Sequence, residues 1–111
     1  MIKIELNNDK EHIFQISYNL KAYIPQEYFN KYKQYVELYF LKDLFANSEI
    51  DYLGKQQMIW STDYYYEIEG RKFTLSLDED YAFVSFFSQE IEDREVIAEY
   101  IVLLIQNQQY A

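Results

Sequence analysis

The chain has 111 residues, half of them hydrophobic and a fifth aromatic, with 19 acidic against 10 basic side chains for a net charge of −9. That length supports one domain, the composition is too apolar for a disordered acidic chain, and the charge works against direct binding of nucleic acid or an anionic membrane surface. The absence of cysteine excludes disulfides, thiolate chemistry and cysteine metal sites, and fits a reducing, cytoplasmic setting.

The charge is uneven. Residues 1–55 carry eight acids and seven bases, a net −1, whereas residues 56–111 carry eleven and three, a net −8. The opening MIKIELNNDKE lacks the basic-then-apolar pattern of a signal peptide, so none is expected. No spanning segment is expected either, because the longest apolar run, Ile101 to Ile105, falls far short of the roughly 20 residues that crossing a bilayer takes.

In chain order, Ile2, Ile4 and Leu6 alternate with polar residues, turn-forming Asn7, Asn8 and Asp9 follow, and Phe14, Ile16 and Tyr18 alternate again. This predicts an N-terminal hairpin with strands at about 1–6 and 12–18. His12, the only histidine, lies beside the turn without the partners that metal or general-base chemistry needs, so a surface role is expected. Pro25 suits the first turn of a helix running over about 25–46. At 100° per residue Tyr28, Tyr32, Tyr35 and Tyr39 form one stripe, either a core margin or a recognition surface. Phe29, Val36, Phe40 and Leu44 form the expected core contact beside it. Leu38, Leu41 and Phe45 fall on the opposite side, implying cover on a second side or an interface.

Glu49 to Gln57 is polar and mixed, and reads as a connection. Met58 and Trp60 alternate with Ile59 and Ser61, predicting a short strand over about 57–61. A strand over about 64–69 places Tyr64, Tyr66 and Ile68 on one face and Tyr65, Glu67 and Glu69 on a wet face. Glu69, Gly70 and Arg71 make a tight turn into a half-buried strand at 72–77. Asp78, Glu79 and Asp80 then turn the chain into a strand at 81–87. Its Tyr81, Phe83 and Phe87 oppose Ala82, Val84 and Phe86, which predicts a central strand covered on both sides. A final helix over about 91–108 carries Val96, Ile97, Tyr100, Ile101, Leu103, Leu104 and Ile105 around half its circumference, wide enough to pack hard on a sheet. The expected fold class is therefore α+β: a single domain in which an antiparallel sheet, made of the N-terminal hairpin and a meander of three or four strands, packs with two main helices.

Enzyme chemistry finds little support. Gly54 and Gly70 are the only glycines, so no phosphate-binding loop can be written, and no base stands by to activate a Ser or Thr nucleophile. Asp78 to Asp80 lacks the spaced oxygen ligands and glycine of a calcium loop, so neither a metal nor a cofactor is expected. Acids at a hairpin tip and at a helix start also have ordinary uses in turns and against the helix dipole.

What remains is a binding module. Its partner surface is expected to be acidic: Asp78, Glu79 and Asp80, Glu67 and Glu69, and Glu90, Glu92 and Asp93 with Glu95, with Tyr65 or the Tyr28 stripe as aromatic anchor. In size, charge and composition the chain resembles the immunity proteins that neutralise bacterial toxins, including those of contact-dependent growth inhibition systems. The resemblance carries no motif, so it assigns no residue a role. It implies one cognate toxin domain as partner, basic, and an RNase or DNase if it is a nuclease. Two other readings are a phage or mobile-element nucleic-acid mimic, which would spread its carboxylates along an extended surface, and an assembly protein whose aromatic surface is an oligomer interface. Reversing Asp78, Glu79 and Asp80 to Lys is expected to slow association with a basic partner while leaving the fold intact.

Overall fold

A computed structural model describes residues 4–6, 13–16 and 18–107. The turn of the N-terminal hairpin, including His12, and residues 1–3, 17 and 108 of the predicted elements lie outside the described residues. The architecture is α+β, a single six-stranded antiparallel sheet with two main helices packed on one face. The strands are β1 (Ile4–Leu6), β2 (Ile13–Ile16), β3 (Asp51–Gln57), β4 (Ser61–Ile68), β5 (Arg71–Asp78) and β6 (Phe83–Ser88). They lie in the order β1-β2-β6-β5-β4-β3. The N-terminal hairpin thus joins the meander by pairing β2 with β6, Ile13 opposite Phe87 and Phe14 opposite Phe86.

Alternation sets which side chains reach the core. Thr62, Tyr64, Tyr66 and Ile68 of β4 and Phe73, Leu75 and Leu77 of β5 are buried on the helix-covered face. They meet Phe45 of helix α2 (Val36–Ala46), whose ring stands edge-on to Tyr66 at 5.1 Å and to Phe73 at 5.9 Å. Helix α3 (Arg94–Gln106) follows a 3-10 turn at Ile91–Asp93 and closes the other half with Ile97, Ala98, Ile101 and Ile105. Beneath it Phe14 and Phe86 stack across β2 and β6, their centroids 5.0 Å apart and planes within 6°. Val96 and Leu103, expected in the apolar half of this helix, face outward.

Four expectations are corrected. First, the strand at 57–61 does not form: the polar 51–57 stretch is the edge strand β3, and Met58 to Trp60 is its hairpin tip. Exposed on both faces, and bulged between Tyr52 and Gly54 where Gly54 has φ 131°, β3 carries no alternation to read. Second, the strand expected at 81–87 starts at Phe83, since Tyr81 and Ala82 belong to a turn. It is central, third of six, but covered on one side only: Phe83 is exposed and Phe87 half-buried on the open face.

Third, the helix at 25–46 is broken. Helix α1 (Gln26–Lys31) ends as Tyr32 turns extended, and Tyr35 is left-handed at φ 59° before α2 begins. The stretch Asn30 to Val36 is rich in weak helix formers. Fourth, because α2 restarts independently, its buried residues are Leu38, Leu41 and Phe45 with Phe40, whereas Val36 and Leu44 are half-buried and Phe29 is exposed. The chain also adds a 3-10 helix at Tyr18–Tyr23 that the strand pattern does not announce.

The buried phenols make stability fall in alkali. Burial, then a hydrogen bond to Asp43, pushes the Tyr28 hydroxyl up to about 12, and burial also raises Tyr64, Tyr66 and Tyr100 above the ordinary phenol value. A raised folded-state pKa means the fold holds the proton more tightly than the unfolded chain. Its stabilisation is complete below the ordinary value of 10.0 and is lost as pH climbs through about 12 for Tyr28. Urea unfolding followed at increasing pH is expected to show a midpoint that is level below pH 10.0 and then falls as phenolate absorbance appears. A midpoint that stays level through pH 12 would contradict the shielding of these rings.

Candidate protein-recognition site

The turn between β4 and β5 decides what happens at the far end of the sheet. Glu69 and Gly70 both have positive φ (51° and 80°), as a tight two-residue hairpin turn matching the strand twist requires. The register that turn sets pairs Ile68 with Arg71 and, at the other end, Ser61 with Asp78. Trp60 and Glu79 therefore meet, and the Glu79 backbone N–H donates to the Trp60 carbonyl at 3.0 Å. Two hairpin tips, Met58–Trp60 and 79–82, are joined side by side.

Side chains lock the junction. The Glu79 carboxylate accepts from the Gln57 amide at 2.6 Å and from the Thr62 hydroxyl at 2.9 Å, tying both hairpins together. Asp78 Oδ1 accepts the backbone N–H groups of Asp80 (3.0 Å) and Tyr81 (3.1 Å), and Ala82 N–H donates to the Asp78 carbonyl, closing a four-residue turn in which Ala82 has φ 57°. Asp80 is left with its carboxylate outward.

What these tips display is apolar. Ile59 is 83% exposed, Tyr81 78% and Trp60 67%, with Met58 and Phe83 exposed beside them. Large apolar side chains held in water on adjoining turns are what a partner-binding surface offers, and Trp and Tyr are the types that carry most of the energy when such a surface docks. Carboxylates rim the patch at Asp80, Asp78 and Glu79, an apolar centre with a polar edge as interfaces have.

The other predicted site residues divide between two further places. Tyr65 lies in the middle of the open sheet face, in the cross-strand row Gly54–Tyr65–Thr74–Phe87–Ile13, its hydroxyl donating to Gln56 Oε1 at 2.9 Å. Glu67, Glu69, Glu90, Glu92 and Asp93 gather at the opposite end of the sheet from Asp80, about 24 Å away along the eight residues of β5. Bases answer several of them there. Arg71 Nε is 3.3 Å from Asp93 and its Nη1 3.7 Å from Glu69, and Lys72 sits across from Glu67. The carboxylates expected to make one partner surface thus form no single face. The structure also corrects the charge-reversal expectation: Asp78 and Glu79 hold the turn and the junction, so only Asp80 can be reversed without disturbing the backbone.

Met58, Ile59, Trp60, Tyr81 and Phe83 are the surface residues that sequence reasoning missed as a site. The signal was present in the Glu69–Gly70 turn, since a two-residue turn fixes the register that sets Trp60 against Glu79. Among the described residues no three carboxylate or imidazole groups lie close enough together to hold a metal ion, and no helix is long and apolar enough to cross a membrane. No family model matches the chain, nor does any curated protein or solved structure.

Proposed function

We propose that this protein is a binding module of the immunity type, which neutralises a basic bacterial toxin domain by gripping it with the paired hairpin tips. The observation that carries the reading is the juxtaposition of exposed Ile59, Trp60 and Tyr81 with the carboxylates of Asp78 to Asp80. The apolar side chains supply anchors, and the acids supply selectivity and encounter rate toward a basic surface. The −8 charge of residues 56–111, the half that carries both tips, supports a basic partner. A compact patch is favoured over an extended phosphate mimic because the Asp78 to Asp80 cluster shares its end of the sheet with exposed Ile59, Trp60 and Tyr81, apolar anchors that a phosphate mimic does not need. The reading assigns no catalytic group and places the protein in the cytoplasm, in keeping with its lack of cysteine.

Asp80→Lys tests the electrostatic half. Association with a basic partner at low salt is expected to slow by about tenfold, with a shallower salt dependence and unchanged thermal unfolding. An unaltered association rate would remove the acidic rim from the account.

A further inference from the structure

Helix α1 is tied to the core through Tyr28, whose ring stands edge-on to Phe40 at 5.6 Å. It buries none of its residues completely, and the chain leaves it through Tyr35, whose left-handed backbone is unfavourable for a bulky side chain. What the break assembles is a ring stack. In an unbroken helix Tyr32 and Tyr39 would stand about 10 Å apart along the axis. Here Tyr32 lies flat on Tyr39, centroids 4.2 Å apart and planes within 13°, with Tyr28 beside Tyr32 at 6.1 Å.

Against this stack opens a cleft of about 170 Å³ lined by Glu27, Tyr28, Lys31, Tyr32 and Asp43. The Tyr28 hydroxyl donates to Asp43 Oδ2 at 2.8 Å and so fixes that carboxylate at the cleft. An ammonium already sits on the aromatic wall: Lys31 Nζ is 5.3 Å from the Tyr32 ring centroid. The break is also anchored to the hairpin tips, since the Tyr35 hydroxyl donates to the Glu79 carbonyl at 3.5 Å.

We infer that this cleft is a docking site for an arginine side chain of a protein partner, which takes the place of Lys31 on the Tyr32 ring. Two carboxylates face one lysine there, so the cleft keeps an excess of negative charge for a second cation or a better one. A guanidinium is the better one. It is planar and stacks on the ring, and its fork of donors serves a carboxylate in a way that a compact ammonium does not. The identity of the partner rests on the binding reading above, but the cleft's preference for a guanidinium does not.

The probe is n-butylguanidinium, titrated into the full chain carrying isotope-labelled tyrosine and followed by the ring resonances. Saturable shifts confined to Tyr28, Tyr32 and Tyr39 are expected, with no such response to neutral n-butylurea. Lys31→Ala is expected to tighten binding about two- to fivefold by vacating the ring, and Tyr32→Leu to weaken it by a similar factor. Glu27→Gln, on an exposed residue outside the ring stack, should weaken it as well and guards against a folding defect in the tyrosine variant. Equal response to the urea, no saturable response, or affinity unchanged in both Tyr32→Leu and Glu27→Gln would overturn the site. Failure there leaves the hairpin tips untouched, because those are tested through Trp60 and Ile59.

Discussion

Replacing Trp60 with Ala together with Ile59 with Asp is expected to cost the complex with its partner about 4 kcal/mol, close to a thousandfold in affinity, while leaving the thermal unfolding transition of the free protein where it was. Both side chains stand in water in the free molecule, Ile59 83% and Trp60 67% exposed, so their removal takes away almost no packing. The backbone of the tip is held by other groups: Met58 N–H donates to the Ser61 carbonyl at 2.7 Å, and Glu79 N–H to the Trp60 carbonyl. None of those bonds needs the side chains. In a complex the balance reverses, because a buried tryptophan at the centre of a dry patch is among the largest single contributions known, and an aspartate in place of Ile59 would enter that patch unpaired. Calorimetric titration gives the affinity and a melting curve gives the stability. As the only tryptophan, Trp60 also reports its own burial through a blue-shifted emission when the wild-type complex forms. An affinity change under about twofold would show that the tips are not the anchor.

The opposite outcome, a large loss of stability without any change in surface chemistry, is expected for Phe86→Ala. Phe86 is fully buried, stacked on Phe14 and 6.5 Å from Phe73, on the strand that joins the N-terminal hairpin to the meander. Truncating such a ring typically costs about 3–5 kcal/mol, from lost transfer energy and the cavity left behind. Against a total stability of about 5–15 kcal/mol this is a large share, and at about 4–8 °C per kcal/mol it lowers the melting temperature by about 12–40 °C. The hairpin β1-β2 should loosen first, since β2 meets the meander only through β6. Amide exchange of Phe14 should then rise toward that of surface amides. A loss below about 1 kcal/mol would mean that the Phe14–Phe86 pair does not hold the hairpin to the sheet.

Much of this architecture was legible in the residues, and the failures share a physical cause. Strands buried on one face and wet on the other print their alternation plainly, so Tyr64, Tyr66 and Ile68, and Phe73, Leu75 and Leu77, could be assigned to the core. So could Ile97, Ile101 and Ile105 of α3, spaced for a helix with one buried side. Edge strand β3 could not, because exposure on both faces and a bulge at Gly54 erase the period. In its place the apolar Met58 and Trp60 gave a false strand, hydrophobic for a reason other than burial. The broken helix was hidden for a related reason. Tyr32 and Tyr39 share a stripe at helical spacing, yet their rings meet because the helix is interrupted.

The candidate site shows the same limit. Charge marked Asp78 to Asp80 as unusual, but charge alone does not separate a carboxylate that holds a turn from one that waits for a partner. Hydrogen bonding does: Asp78 and Glu79 are occupied within the fold, and the proposed binding role therefore passes to Asp80 and its aromatic neighbours. Tyr65, picked as an anchor from its wet face, lies on the sheet's open side and not at either acidic end.

Whether the joined hairpin tips grip a basic protein is decided by parallel capture on immobilised wild type and on the Ile59→Asp, Trp60→Ala variant. Native-cell lysate would be applied to both at low salt and eluted at high salt. One basic protein is expected to be held in stoichiometric amount by the wild type, released by salt and absent from the variant. The same proteins on both surfaces, a large nucleic-acid enzyme as the partner, or self-association alone would contradict that expectation.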